Sequence, residues 1–193
     1  MPQTLNINQA DFEACFLALL TAKREDSPDV DAIVADIIAD VRARGDDAVI
    51  ELTEKFDRLN LTPDTLAFSR EEIMAHCATV PTVEREALEL AADRIRAYHA
   101  RQLPLDAQWE DETGAQLGWR WTAVSAAGLY VPGGLASYPS SVLMNAIPAK
   151  VAGVERLAIC VPTPDGVTNP LVLLAAHIAG VDEIYRIGGA QAI

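Results

Sequence analysis

Residues 126–193 read AAGLYVPGGLASYPSSVLMNAIPAKVAGVERLAICVPTPDGVTNPLVLLAAHIAGVDEIYRIGGAQAI, and this stretch decides the fold. Ala126 to Val131 is a short apolar run that ends in Pro132-Gly133-Gly134. Ser140 to Val151 has the composition of a helix stopped by Gly153, with Pro148 predicting a kink inside it. Arg156 to Val161 is a second apolar run, closed by Pro162. Asn169-Pro170 can open a second helix that Gly180 ends, and Glu183 to Ile187 is a third strand running into Gly188-Gly189. Strand, helix, strand, helix, strand predicts a parallel, Rossmann-like βαβαβ unit. Within it Ala152-Gly153-Val154-Glu155 recurs as Ala179-Gly180-Val181-Asp182, each copy just before an apolar strand. A true repeat and the ordinary chemistry of a helix–glycine–strand joint both explain the echo. Either way it predicts two equivalent joints in a wound sheet.

Upstream, the chain changes character. Residues 1–122 carry 24 acidic and 12 basic side chains, whereas residues 123–193 carry 4 and 3. Surface helices tolerate charge, and strands covered on both faces do not. The expectation is a helical region over 1–122, then the first part of a Rossmann-like domain over 123–193. Asp11 to Arg24 puts Phe12, Phe16, Leu19 and Leu20 on one helical stripe. Ser27-Pro28 reads as a helix start and Gly45 as its stop, with Val30, Ile33, Val34, Ile37, Ile38 and Val41 between them. Asp46-Asp47 can start another helix with Val49, Ile50, Leu52 and Phe56 inward. Ser69 followed by Glu72 is a capping box. Val83 to Gln102 reads as a long helix whose Arg94, Arg96 and Arg101 make a solvated face. Thr113-Gly114 between Trp109 and Trp119 predicts a hairpin near 109–121.

Composition narrows the classes. The chain has 193 residues, half of them hydrophobic and 22% charged, and a net charge of −13. This is globular composition. The acidic balance argues against nucleic acid and against anionic membrane surfaces, which demand basic patches. Neither a signal peptide nor a membrane-length apolar run is visible in these residues. Cys15, Cys77 and Cys160 are far apart and odd in number, which fits a reducing, cytoplasmic setting better than a disulfide framework. The last residues, Ala190 to Ile193, stand where a helix covering the third strand is expected to begin. The expectation is therefore part of a longer protein, or one that a partner completes.

Open parallel sheets bind ligands at the carboxyl ends of their strands. Two glycine turns fall there, Gly133-Gly134 and Gly188-Gly189. Glycine lets a ligand approach the backbone, and a following helix start favours anionic groups, with Ser140 and Ser141 as candidate cap and donors. Neither turn completes GxGxxG, so on spacing alone the signal is weak and tight turns with helix caps are the favoured reading. Tyr130 ends the first strand, where its ring can stack on a planar ligand or simply pack. Gln191 follows the second turn and can bond a ligand amide or hydroxyl, or lie on a helix surface. His76, His99 and His177 have no histidine at i+3 or i+4, and no zinc set can be assembled from them. His177 lies on an apolar helix and reads as a packing residue. Glu71-Glu72 and Asp46-Asp47 sit at helix starts, where capping explains them.

Three segments carry a resemblance to a known family. Gly128 to Gly134 with Tyr138 to Val154, Ile187 to Ile193, and the helical Glu89 to Pro104 closely resemble histidinol dehydrogenase. The resemblance runs along the whole chain and matches the N-terminal portion of the family's longer polypeptide. It implies an α/β fold of the aldehyde-dehydrogenase-like, histidinol dehydrogenase type, with incomplete Rossmann-like domains and helical extensions. It implies an NAD-dependent, zinc-containing oxidoreductase of histidine biosynthesis, an intertwined homodimer that takes L-histidinol to L-histidine through a retained aldehyde. By motif match, Tyr130 and Gln191 correspond to NAD-contacting positions. The family's zinc ligands, general-base histidine and neighbouring glutamate fall beyond Ile193, so no catalytic or metal-binding residue is assigned within this chain. On this reading the chain alone is inactive. Two alternatives stand beside it: a relative oxidising another polar alcohol such as a sulfonated diol, and a non-catalytic nucleotide-binding or dimerisation fragment.

Overall fold

The computed structural model of the chain describes residues 4–23, 28–132 and 138–193. The predicted βαβαβ unit is present. Strands β3 (Ala126–Tyr130), β4 (Arg156–Cys160) and β5 (Glu183–Tyr185) follow the hairpin strands β1 (Ala107–Glu110) and β2 (Gln116–Trp119). The three form one parallel sheet in the order β3-β4-β5, joined by helices α6 (Pro139–Val151) and α7 (Pro170–Ala179). Leu143, Ile147, Leu157, Ile159 and Leu173 are fully buried between sheet and helices. Each such side chain contributes about 1.5–3 kcal/mol by leaving water. Pro148 lies inside α6, and its carbonyl accepts from the Ala152 amide. The internal echo marks equivalent joints. Gly153 and Gly180 both take left-handed backbone, and the next residue donates five positions back, Val154 to Ala149 and Val181 to Ala176, each at 3.0 Å. That is a Schellman ending twice over.

The preceding helices are α1 (Phe12–Lys23), α2 (Pro28–Arg44), α3 (Asp46–Asp57), α4 (Arg70–Ala78) and α5 (Thr82–Ala100). Ser27 lies outside the described residues, whereas Gly45 stops α2 as expected. The Ser69 capping box closes both ways: Glu72 N–H donates to Ser69 Oγ at 3.1 Å, and Ser69 N–H donates to Glu72 Oε2 at 2.8 Å. Helices α4 and α5 pack on α6 and α7, so Phe68 and Ala92 belong to the same core as the sheet. Between α3 and α4, Ala67 bridges antiparallel to Tyr185, Phe68 N–H donates to Ile184 O, and Arg186 N–H donates to Leu66 O. The helical region thus lends the parallel sheet an antiparallel edge that no sequence pattern announced. Val49, Leu61 and Leu66 pack with Tyr185 and Ile187 in a second small core.

Four inward assignments need correction. Phe56 is 46% exposed, with Lys55 Nζ 5.3 Å from its ring centre. Val49 and Leu52 already fill the buried side of α3, and Phe56 lies in its last turn, beyond them. On α1, Phe16 and Leu20 are 39% and 47% exposed, and Phe12 and Phe16 stack on each other rather than in a core. His177 is exposed in the last turn of α7, with buried neighbours on the opposite side of the helix. Arg94, Arg96 and Arg101 are exposed, as a wet face requires, and Arg96 pairs with Asp93. The hairpin pairs Trp109 with Leu117 and sets the Trp109 and Trp119 rings edge to face at 5.0 Å. After β5 the chain makes a single 3-10 turn over Ala190–Ala192 where an α-helix start was expected.

Strands β4 and β5 are also tied by charge. Arg156 Nε donates to Glu183 Oε1 at 2.6 Å, and the Tyr185 hydroxyl donates to Glu183 Oε2 at 2.6 Å. Arg156 first, then Tyr185, holds the Glu183 carboxyl down from 4.5 to about 2. A depressed carboxylate stabilises the fold above its unfolded value and loses that contribution as pH falls through its folded one. Glu183→Gln is therefore expected to lower the melting temperature at pH 7 modestly, because an exposed pair is worth about 1 kcal/mol or less. The gap to the parent should close between pH 4.5 and 2. Melting curves across that range check it; a gap unchanged down to pH 2 would disprove the assignment.

Candidate functional site

The carboxyl ends of β3, β4 and β5 gather the two predicted contact residues. Tyr130 closes β3 and is 37% exposed. Its hydroxyl accepts a hydrogen bond from the Gly189 N–H at 3.1 Å, joining β3 to the turn after β5. Gln191, in the 3-10 turn that follows, is only 5% exposed. It is not the surface residue that one reading allowed. Its Oε1 is buried and has no hydrogen-bond partner. A buried acceptor without a donor is costly, and the cost is recovered when a ligand supplies one.

The glycine turn has a structural reason beyond ligand approach. A Cβ on Gly188 would sit 2.5 Å from Pro162 Cγ, and a Cβ on Gly189 would sit 2.6 Å from Gln191 Oε1. Both glycines therefore let the turn press against its own neighbours. The other predicted turn, Gly133-Gly134, lies outside the described residues. Ser140 and Ser141 are not caps: α6 starts at Pro139, its N-cap is Tyr138, and no side chain caps it. The serines fall two and three residues past the cap position, in the first turn.

Cys160, at the end of β4, points its thiol at the Ala192 carbonyl at 3.7 Å. Burial pushes this thiol up from its ordinary value. A thiol held up in this way ionises less readily and is the poorer nucleophile for it. Sequence reasoning missed Thr163, two residues after Val161. It is 1% exposed and its Oγ1 has no partner. Its only sequence signal is a polar residue between Pro162 and Pro164 at the end of a buried strand.

The fit to the implied groups differs. For a dinucleotide the residues fit: an open tyrosine ring, a glycine turn and an orphaned buried amide oxygen converge at strand ends. For zinc they do not: among the described residues, no group of three or more His, Cys, Asp or Glu is placed to hold a metal ion. Among the described residues no helix is long and apolar enough to cross a membrane.

A parallel sheet with crossover helices defines the class: an α/β protein with a Rossmann-like unit. Residues 20–193 match the sequence family described as histidinol dehydrogenase. The whole chain is 77% identical to histidinol dehydrogenase of Ruegeria pomeroyi and 72% identical to that of Cereibacter sphaeroides. It spans 45% and 44% of those two proteins, so the chain covers less than half the length of the curated relatives it matches. A crystal structure of histidinol dehydrogenase from Elizabethkingia anophelis superposes with a TM-score of 0.80 at 34% identity, over 84% of this chain and 37% of that one. The chain belongs to the histidinol dehydrogenase family.

Proposed function

We propose that the chain is the N-terminal, cofactor-contacting portion of an enzyme that oxidises L-histidinol to L-histidine with NAD. The identity across all 193 residues to histidinol dehydrogenase of Ruegeria pomeroyi carries this reading. Bound NAD would supply the hydride acceptor, one molecule for each of the two oxidations, alcohol to aldehyde and hydrated aldehyde to acid. What this chain does is hold and position. The Tyr130 ring offers a face to a planar ring. The Gln191 Oε1 accepts from an amide or hydroxyl of the cofactor, while Tyr130 O–H keeps the Gly188-Gly189 turn in place.

The proposed division of labour follows the change in charge: residues 123–193 carry the cofactor contacts, and residues 1–122 brace them. Proton transfer, water activation and zinc binding are assigned to the portion of the relatives beyond Ile193. A homodimer in the cytoplasm, without nucleic acid or membrane partners, completes the reading. The three free cysteines, Cys15, Cys77 and Cys160, support the reducing compartment.

The test is spectrophotometric. The 193-residue chain with NAD and L-histidinol should give no NADH absorbance, and the same chain continuous with a relative's remaining residues should give it. NADH production by the chain alone would overturn the division of labour. Silence of the joined protein on histidinol, with turnover of another polar alcohol, would overturn the substrate.

A further inference from the structure

Among the described residues, only two that are not glycine take left-handed backbone, Arg58 (φ 55°) and Asp165 (φ 56°). They lie 107 residues apart and are each other's partners. Arg58 Nε donates to Asp165 Oδ1 at 2.6 Å, and Arg58 Nη2 donates to Asp165 Oδ2. A side chain with a Cβ is strained in this backbone region, and such strain persists only where the surroundings impose it. Gly153 and Gly180 end α6 and α7 in the same conformation without that strain. At the end of α3 an arginine stands in the equivalent place and donates its N–H to Glu54 O at 3.0 Å. A glycine would close the helix at less cost. What the arginine adds is the fork that reaches Asp165.

The pair joins the helical region to the connection between β4 and α7. Asp165 sits in the turn Pro164–Gly166, where Gly166 N–H donates to Thr163 O at 2.9 Å and Val167 N–H donates to Pro164 O at 3.1 Å. Leu59, next to Arg58, approaches the same turn: its Cδ1 lies 3.6 Å from where a Cβ on Gly166 would be. The connection also carries Pro162, the ring against which Gly188 packs. Gly189 in turn donates its N–H to Tyr130 and precedes the 3-10 turn of Gln191. A line of contacts therefore runs from α3 through Asp165 and Pro162 to the proposed cofactor corner.

An exposed ion pair usually contributes little, because water and salt screen it. A bidentate fork in one fixed geometry is the exception, and this pair has it. A second carboxylate stands beside the arginine, Asp57, whose Oδ2 is buried and unpartnered. The fork passes over this neighbour in sequence and goes to the distant turn. We propose that Arg58 and Asp165 are positioning residues for cofactor binding. Their clasp fixes the β4–α7 connection and, through Pro162, the Gly188-Gly189 turn with Tyr130 and Gln191. The proposal rests on the NAD reading above. It names a contact by which residues 1–122 brace residues 123–193.

The experiment is calorimetric titration with NAD of the 193-residue chain and its variants, alongside hydrogen exchange of the Gly166 and Val167 amides. Arg58→Gly removes the fork and takes the left-handed backbone freely. Asp165→Asn keeps the shape, tolerates the same backbone and removes the charge. Each should exchange the two amides faster and bind NAD about threefold to tenfold more weakly, with an unchanged circular dichroism spectrum. The double variant should lose no more than either single one, because the two residues act as one contact. Arg58→Lys restores the cation without the fork and should bind with intermediate affinity. In the chain joined to a relative's remaining residues, the loss should appear in KM for NAD with kcat kept, a split that a general loss of folding would not give. Unchanged amide exchange, faster exchange with NAD affinity intact, or losses that add in the double variant would each overturn the clasp and leave the NAD reading standing. A parent chain silent toward NAD overturns the two together.

Discussion

Gly188→Ala is expected to cost the chain its proposed cofactor corner. The added Cβ would lie 2.5 Å from Pro162 Cγ and 2.7 Å from Pro162 Cβ, distances no real contact shows. Proline is a closed ring and cannot swing aside as a lysine end would. The turn itself must move, and with it go the Gly189 N–H donated to Tyr130 and the setting of Gln191. Overpacking of this kind costs about 1–3 kcal/mol in stability. A binding loss should accompany it, because the displaced groups are the proposed contacts: at least about tenfold in NAD affinity, the equivalent of roughly 1.4 kcal/mol. Titration with NAD alongside a thermal melt reads both. A Gly188→Ala chain that melts lower and binds NAD unchanged would place the cofactor elsewhere.

Legibility in the sequence followed the range of the interactions. Strands at 126–130, 156–160 and 183–185 were readable because each apolar run is punctuated by glycine or proline within a few residues. The caps at Ser69 and Asn169 were readable because donor and acceptor lie two or three residues apart. The Ala67 bridge was not, since its partner Tyr185 is more than a hundred residues away and Leu66-Ala67-Phe68 is too short to alternate. Phe56 misled because helical periodicity names a stripe and cannot say how far along the helix the core reaches. At the candidate site, Tyr130 and Gln191 were picked by position and by resemblance. The Tyr130–Gly189 bond and the orphaned Gln191 Oε1 needed coordinates, because both depend on how the 3-10 turn folds back. Thr163 was passed over for the same reason: the unused hydroxyl carries no motif.

Arg186→Ala is the second large expected loss, and it tests what joins the helical region to the sheet. The residue directly follows β5, and its side-chain exposure is only 12%. Its guanidinium lies 3.9 Å from the Phe68 ring centre, donates to the Thr65 carbonyl at 2.7 Å, and pairs with Glu72. Glu72 is held below its ordinary range, first by the Ser69 amide and then by Arg186. One cation thus serves the α4 cap, the loop before it and the edge strand at once. Breaking a buried pair from one side costs about 3–5 kcal/mol. Glu72 is 47% exposed, so water recovers part of that, and about 2–3 kcal/mol is the better figure here. Arg186→Lys restores charge without the planar fork or the ring stacking, and should rescue less than half of the loss. Chemical denaturation of the three proteins measures it. Full rescue by lysine would mean that charge alone matters. No loss in Arg186→Ala would mean that Leu66 to Phe68 is held by its backbone bonds to β5 and by Phe68 packing, and that the shared core, not this cation, unites the two halves.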